Sequence, residues 1–359
     1  MSEIIYTSVK PNASITLLGD TPSQPSWIHP HLIDCIDPVK GRQFRVTDFI
    51  SKGTCLLVDR PYAVIPVVDE PSVNKNLICN NPACNRRVSL GPERSSCPNA
   101  CIADVAWCSG SCKDLDQIRH AFECTWLKRY AKPIRSKRGE YEFGMLWLII
   151  RLLATRQGEV QNPQSSTSDA ESFSPRWKQG WDGIEMLCGS ADTWAHDRVR
   201  NWTLLAKKYL QSSQILPHGL STDRVLHLIC QEEANSFGLY PRETGVFPIP
   251  TPVTERGEQF AAAVYPTAAI ANHSCLPNIV HKPDDHGRMV FTAARDIKKD
   301  EECCISYFDL TQYTDIATRR QHLKNSFRFT CKCERCVSEE PVESSSSWAT
   351  IPIMDEQSL

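Results

Sequence analysis

The sequence predicts an α+β, β-rich body whose two halves are separated in the chain by a cysteine-rich module and a block of helices. Three observations lead there. Strand-like alternation occurs over residues 36–68 and short strand-like runs return over 289–307. Seven of the 17 cysteines lie between Cys79 and Cys124, and three more between Cys331 and Cys336. Helical periodicity follows the first cysteine group.

The elements read as follows. Residues 1–36 are an N-terminal extension and 37–75 the first strand-forming part. There Gln43-Phe44-Arg45-Val46 and Thr54-Cys55-Leu56-Leu57-Val58 alternate on either side of a Lys52-Gly53 turn. Residues 76–126 are the cysteine-rich module, and 127–260 a helical insert. Within the insert Phe143, Leu146, Trp147, Ile150 and Leu153 share one wide helical face. The polar stretch 157–175 reads as disordered. Two more helical patterns follow near 192–212 and 222–236, the latter with Val225, Leu228 and Ile229 on one face and Ser221 or Thr222 as N-cap. Residues 261–312 return to strands at Met289–Thr292 and Cys303–Tyr307. Residues 313–337 hold a knuckle of cysteines after a helix read over 310–325, and 338–359 form a frayed tail. Arg319, Arg320, Lys324 and Arg328 read most simply as a solvated helix face.

Composition excludes several classes. The chain has 359 residues, 41% of them hydrophobic, and 40 basic against 42 acidic residues. A net charge of −2 gives no global drive toward nucleic acid or anionic lipid. The finger segment itself has five basic residues (Arg86, Arg87, Arg94, Lys113, Arg119) against five acidic ones and no basic stripe, so nucleic acid is not an expected partner. The start, MSEIIYTSVK, lacks the apolar core of a secretory signal. The apolar run at Met145–Ile150 is far too short to span a membrane. The expectation is a monomer in the nucleus or cytoplasm, with Lys132–Arg138 a suggestive nuclear signal. In a reducing compartment, clustered cysteines are metal ligands or catalytic groups more often than disulfides.

The first cluster falls into four pairs: Cys79/Cys84, Cys97/Cys101, Cys108/Cys112 and His120/Cys124. Zinc takes four tetrahedral ligands, so eight donors make two closed, structural sites. Metal binding then supplies the folding free energy that so short a segment cannot draw from apolar burial. In the second cluster Cys331, Cys333 and Cys336 offer three thiolates. Cys275 is the best candidate for a fourth, although spacing alone equally allows a small buried hydrophobe.

The order of these pairs, with the WCSGSC segment (Trp107–Cys112) and HAFEC (His120–Cys124), resembles a MYND zinc finger. That resemblance implies interleaved sites: Cys79, Cys84, Cys108 and Cys112 on one zinc; Cys97, Cys101, His120 and Cys124 on the other. The usual glutamine and tryptophan of the family's proline-rich peptide groove are replaced by Lys113 and Gln117. The segment Asn272-His273-Ser274-Cys275-Leu276-Pro277-Asn278, followed by Ile305-Ser306-Tyr307 and Cys331-x-Cys333-x2-Cys336, resembles the SET-domain protein lysine methyltransferases. Together the motifs are similar to the SET and MYND family, over residues 37–337. A short member without the family's helical C-terminal domain is expected.

The resemblance implies a SET-domain β fold with an inserted finger and helical block. It implies S-adenosylmethionine on one face, a lysine channel from the other, and a third, post-SET zinc on Cys275, Cys331, Cys333 and Cys336. Carried over one at a time, Lys40, Gly41, Arg42, Asn235, Asn272, His273, Tyr307 and Phe329 would contact the cofactor. Tyr307 is the expected catalytic residue, and Tyr265, Phe327 and Phe329 would line the channel. Gln43 stands where the family's loop has its second glycine, a place where close backbone approach favours no side chain. The expected partner is a lysine-containing protein substrate, with further protein contacts through the finger. Chemically, an aromatic, water-poor channel lowers the pKa of a lysine amine from near 10.4, and holding the reactants in line supplies most of the acceleration. The rival expectation is a catalytically weak adaptor for transcriptional regulation, favoured by Gln43. A plain nucleic-acid-binding zinc protein is the weakest reading.

Overall fold

The computed structural model describes residues 26–67, 76–89, 94–161, 178–213, 216 and 220–340. Five strands open the described chain: β1 (Trp27–Ile28), β2 (Leu32–Asp37), β3 (Gly41–Val46), β4 (Cys55–Asp59) and β5 (Ala63–Pro66). Strand pairing therefore starts before residue 37. Trp27 opposes Val58, and Leu32 opposes Val46 in the β2–β3 hairpin, so residues 27–36 belong to the body rather than to an extension. Alternation does its expected work in β3, where Phe44 and Val46 are fully buried.

The cysteine module holds two short hairpins, β6 (Asn76–Ile78) with β7 (Arg87–Ser89) and β8 (Ser95–Ser96) with β9 (Ala106–Trp107). Helices α1 (Gly110–Leu115) and α2 (Gln117–Arg138) follow. The Ser109 hydroxyl caps α1 by accepting the Cys112 N–H at 3.1 Å. Helix α2 is one element of 22 residues and runs straight through the expected module boundary at 126. It carries the finger ligands His120 and Cys124 at its start and core residues Trp126, Leu127 and Ile134 beyond.

Helix α3 (Glu140–Gln161) is buried continuously from Met145 to Ala154. A helix buried on every side is a core helix, here with Arg151 as its one charged buried residue, which explains why its expected single face widened to the whole circumference. It continues through 157–161, the start of the stretch read as disordered; the remainder of that stretch, 162–175, lies outside the described residues, as do 341–359 of the tail. Helix α4 (Gly180–Glu185) precedes α5 (His196–Leu205), which passes into a π-helical stretch at Ala206–Leu210 and a 3₁₀ turn at Gln211–Ser213. The 192–212 pattern is thus three conformations rather than one helix. Helix α6 (Thr222–Asn235) is capped by Ser221, whose hydroxyl accepts the Arg224 N–H at 3.2 Å.

The second half supplies β10 (Ser236–Leu239), β11 (Ala261–Val264), β12 (Asn272–His273), β13 (Ile279–Pro283), β14 (Met289–Ala293) and β15 (Glu302–Ile305), then α7 (Ile316–Ser326) and α8 (Glu334–Ser338). The α7 N-cap is Asp315, which accepts the Thr318 N–H at 2.9 Å, so the helix starts six residues after the expected Leu310. Three sheets run β1-β4-β14-β13, β10-β11-β5 and β12-β15-β3-β2. Each sheet takes strands from both halves: Val58 opposes Val290, Val64 opposes Ala263 and Phe44 opposes Cys303. Neither half can bury its apolar faces without the other, so the module and helical insert are excursions from a single body.

One core fills the sheets, around Phe44, Leu56, Leu57, Tyr265 and Phe291. A second joins the finger to α3 and α6, with Trp126, Trp147 and Leu228 at its centre. Glu123, fully buried on α2, ties them together. Its carboxylate accepts from Arg151 Nε and Trp147 Nε1 on α3 (2.8 and 3.1 Å), from Arg119 Nη1 (3.3 Å) and from Asn80 Nδ2 (3.3 Å). Arg151 in turn donates to the Val64 carbonyl of β5 at 2.9 Å. Arginine positive charge pulls this carboxyl far below its ordinary range against the opposing effect of burial.

Candidate active site and metal centres

Three groups of donors converge within 4.8 Å of one another: Cys79, Cys84, Cys108 and Cys112; Cys97, Cys101, His120 and Cys124; and Cys275, Cys331, Cys333 and Cys336. A tetrahedral ion with bonds of about 2.3 Å to sulfur sets its thiolates about 3.8 Å apart. The sulfurs of Cys84 and Cys108 stand 3.7 Å apart, those of Cys108 and Cys112 3.5 Å, Cys97 and Cys124 3.5 Å, and Cys275 and Cys336 3.6 Å. His120 presents Nε2 to Cys97 and Cys101 at 3.2 and 3.8 Å, while Nδ1 faces Glu123 at 3.1 Å. A carboxylate behind a ligating imidazole fixes which nitrogen carries the proton and frees the other for a metal. All three groups therefore fit a tetrahedral ion of the zinc type, in the interleaved pairing expected for the first two.

The third group is ringed by arginines. Arg335 Nη1 donates to the Cys275 carbonyl at 3.3 Å, and Arg320 Nε to the Cys331 carbonyl at 3.1 Å. Arg319 reaches Cys336 as well as Glu339. Arg319 is 0% exposed, which corrects its reading as part of a solvated helix face: α7 turns it inward. Four thiolates around a divalent ion keep net negative charge, and this cationic collar offsets it.

A cavity of about 860 Å3 opens where the β2–β3 turn, the 186–194 segment, β12, β15 and the 327–334 loop meet. Lys40, Arg42, Asn235 and Asn272 line it, as do His273, Tyr307, Phe327 and Phe329. The parallel pairing of β12 with β15, His273 opposite Ile305, brings the imidazole beside Tyr307. His273 Nδ1 accepts the Tyr307 backbone N–H at 3.1 Å, which leaves its proton on Nε2, 3.2 Å from Cys275 Sγ. Burial pushes the imidazole down to about 3, so it is neutral. The Tyr307 hydroxyl donates to the Ala271 carbonyl at 3.0 Å, and burial pushes its phenol above the ordinary value. Phe327 packs against Tyr307 with ring centres 4.9 Å apart.

Two expected residues lie elsewhere. Tyr265, expected in the channel, is wholly buried in the sheet core, where its hydroxyl donates to the Gly287 carbonyl. It does not line the cavity, because β11 ends by pointing it toward the β13–β14 hairpin. Gly41 does not line it either. With φ of +77° and no atom within 4 Å of a would-be Cβ, its glycine serves the left-handed turn, not close approach to a ligand. Gln43 is buried and absent from the cavity wall. With its amide turned to suit its neighbours it donates to Glu302 Oε1 (2.9 Å) and accepts from Arg45 Nε (2.8 Å).

Glu302 was not singled out in the sequence. It receives Lys40 Nζ at 2.5 Å and Asn272 Nδ2 at 3.0 Å, and it faces the cavity. The second hydrogen of the Asn272 amide goes to the Arg42 carbonyl at 3.3 Å, so both donors are used and Oδ1 remains as an acceptor. Asn235 uses its amide on the Cys188 and Gln231 carbonyls (2.6 and 2.7 Å), pinning the 186–190 segment against α6. Arg42 Nε is buried without a partner. Such a donor beside a roomy, partly apolar cavity fits an anionic group on a small ligand.

The family model described as the SET domain matches residues 41–308. The chain belongs to the SET-domain family. It is 38% identical over 33% of its length to the Saccharomyces cerevisiae protein named "Potential protein lysine methyltransferase SET6", covering 30% of that protein. It is 22% identical, over 84% of its length and 59% of the other, to a Dictyostelium discoideum SET and MYND domain-containing protein. To the Arabidopsis thaliana protein named "Histone-lysine N-methyltransferase ASHR1" it is 25% identical, over 83% of its length and 53% of that protein. The chain thus spans about half of these last two relatives, and less of the first. The SET match runs across both strand halves and the excursions between them, and the two upstream metal groups fit the MYND pattern of such relatives. Among the described residues no helix is long and apolar enough to cross a membrane.

Proposed function

We propose that this SET-domain chain transfers a methyl group from S-adenosylmethionine to a lysine of a protein substrate, and that three zinc ions hold its cysteine groups. The observation that carries the reading is the convergence, in one cavity, of Lys40, Arg42, Asn235, Asn272, His273, Tyr307, Phe327 and Phe329 from five separate parts of the chain. The lysine methyltransferase names of the relatives point the same way.

Bound there, the cofactor supplies an electrophilic methyl on a sulfonium. The residues then divide the work. Arg42, with its unpartnered Nε, suits the cofactor's carboxylate. The free Oδ1 of Asn272 suits its ammonium. Glu302 holds Asn272 in that orientation and neutralises Lys40. The rings of Tyr307, Phe327 and Phe329 exclude water from the lysine amine and disfavour its charged form. Tyr307, tied to the Ala271 carbonyl and protonated across the neutral range, orients the reacting groups and does not abstract a proton. Gln43 lies away from the cavity wall, which leaves the adaptor alternative without the departure that favoured it.

Titration calorimetry of the zinc-loaded chain with S-adenosylmethionine, followed by radiolabelled methyl transfer to lysine peptides, tests the reading. Absence of both binding and transfer by folded protein carrying three zinc ions would sink it.

A further inference from the structure

The loop between α7 and the last cysteine knuckle contains a residue that neither the metal group nor the cavity explains. Arg328 is one of four non-glycine residues described with positive φ, at 65°. That left-handed conformation is unfavourable for a long side chain. It sits between Phe327 and Phe329, the two rings on the cavity wall. Its side chain, though exposed, crosses to the helical insert, where Nε donates to the Thr193 carbonyl at 2.6 Å. Its guanidinium lies 5.8 Å from the ring centre of Trp194, within cation–π reach. The landing place is firm. Trp194 is 5% exposed, packs edge-on to Trp202 at 5.1 Å and is flanked by Arg198 at 5.0 Å. Thr193, Trp194 and Arg328 all belong to the cavity wall.

We propose that Arg328 is a positioning residue, a clasp that fastens the aromatic loop to the helical insert and so sets how tightly the lysine channel closes. The two rings depend on it unequally. Phe327 is held from behind by Tyr307 at 4.9 Å and His322 at 6.1 Å. Phe329 is 37% exposed and, among the described residues, its ring contacts are with His273 and Tyr307, at 6.1 and 6.4 Å. Phe329 is the ring that swings when the clasp is broken, and it lines the cavity beside Phe327. The clasp links two segments 135 residues apart, so the aromatic wall and the insert move together. The inference rests on the methyltransferase reading for its effect on turnover, but the clasp itself is readable without it.

The test uses the full zinc-loaded chain with Arg328→Asn and Arg328→Lys. Asparagine tolerates the left-handed conformation but cannot reach Thr193. Lysine keeps the charge but loses the planar Nε donor. The first readout is backbone amide exchange, without ligand, at residues 326–332 and 190–195. In R328N both segments should exchange faster together, by roughly threefold to tenfold, as expected for loss of one hydrogen bond. The second readout is kinetic: KM for a lysine peptide should rise by a similar factor with kcat within about twofold, because the reacting geometry at Tyr307 is held separately. R328K should recover only part of either. Unchanged exchange at both segments in R328N overturns the clasp. Faster exchange with unchanged KM overturns its role in closing the channel. A wild-type chain that transfers no methyl group overturns the methyltransferase reading instead, and the exchange measurement still decides the clasp.

Discussion

His273 Nδ1 accepts the backbone N–H of Tyr307 at 3.1 Å, while the same ring directs Nε2 at Cys275 Sγ, 3.2 Å away. A single imidazole thus joins a metal-group thiolate to the residue expected to orient methyl transfer. The third cysteine group is more than a staple for the chain after β15, since it holds the ring that holds Tyr307. Replacing His273 by alanine leaves a Tyr307 N–H without its acceptor, and small misplacements of reacting groups are expensive in rate. His273→Ala should lower kcat roughly 10- to 100-fold, read from initial rates at saturating cofactor. A kcat within twofold of wild type would show that the imidazole does not position Tyr307.

The pH profile of the reaction follows from which groups titrate. The substrate amine, with a pKa near 10.4 in water, must be neutral to attack. Burial raises the Tyr307 phenol above its ordinary value, so it keeps its proton while the amine loses its own. The initial rate should therefore rise with pH from about 7 to 9, with no descending limb from Tyr307. Tyr307→Phe should be slower by about tenfold or more yet keep the same slope. A slope that vanished in the phenylalanine variant would make the phenol a titrating base.

Metal content and its loss distinguish the three groups. Emission spectrometry should find three zinc ions per chain. The ligands of the first group include the partly exposed Cys108 and Cys112, whereas Cys97, Cys101, His120 and Cys124 are all buried. A competing chelator should therefore strip the first group faster than the second. Cys336→Ser should lose one zinc and weaken cofactor binding, because Cys331 and Cys333 of its group border the cavity. Cys84→Ser should lose one zinc with cofactor affinity retained in whatever fraction stays folded.

Glu123 is a buried carboxylate facing two arginines and a histidine. Glu123→Gln removes the negative charge and leaves the buried Arg151 without its carboxylate partner, while Arg119 keeps Asp116; breaking a buried pair from one side costs about 3–5 kcal/mol. Chemical denaturation should show a loss of that size. Adding Arg151→Met should recover part of it. If E123Q unfolds at the wild-type midpoint, the carboxylate is not the tie between finger and body.

In the cavity, Glu302→Ala frees Lys40 and unfixes the Asn272 amide. Affinity for S-adenosylmethionine should fall about tenfold by calorimetry, with little change in stability, since Lys40 is half exposed. Unaltered affinity would remove Glu302 from the site.

Much of this was legible in residue order because the signals are local. Paired cysteines announce ligands by spacing, alternation announces β3, β4 and β14, and Ser221 announces the start of α6. The aromatic and asparagine positions came only from a family pattern. What escaped was set by partners distant in the chain. Nothing near Arg319 says that α7 packs it against a thiolate group, so its charge read as solvated. Nothing near Glu302 names Lys40, 262 residues away. Tyr265 reads as a channel residue only from the family resemblance, whereas the end of β11 sends its hydroxyl to the Gly287 carbonyl in the sheet core. Gln43 looked like a defect in a ligand loop, and β3 pleating turns it inward, away from the cavity wall.

Residue types and their spacings by themselves determined a β-rich body in two halves with cysteine-paired excursions between them, because ligand pairing and strand alternation act over a few residues; the SET assignment came from the family resemblance. Tertiary structure alone decided what those residues do to one another. The sheets pair β3 with β15, β4 with β14 and β5 with β11, and that pairing brings Asn272, His273 and Tyr307 to the same cavity as Lys40 and Arg42. The same closure carries Arg328 to Thr193 and Cys275 to Cys336. Hydrogen bonds and ion pairs reach only about 3 Å, so their partners exist only once the halves have met.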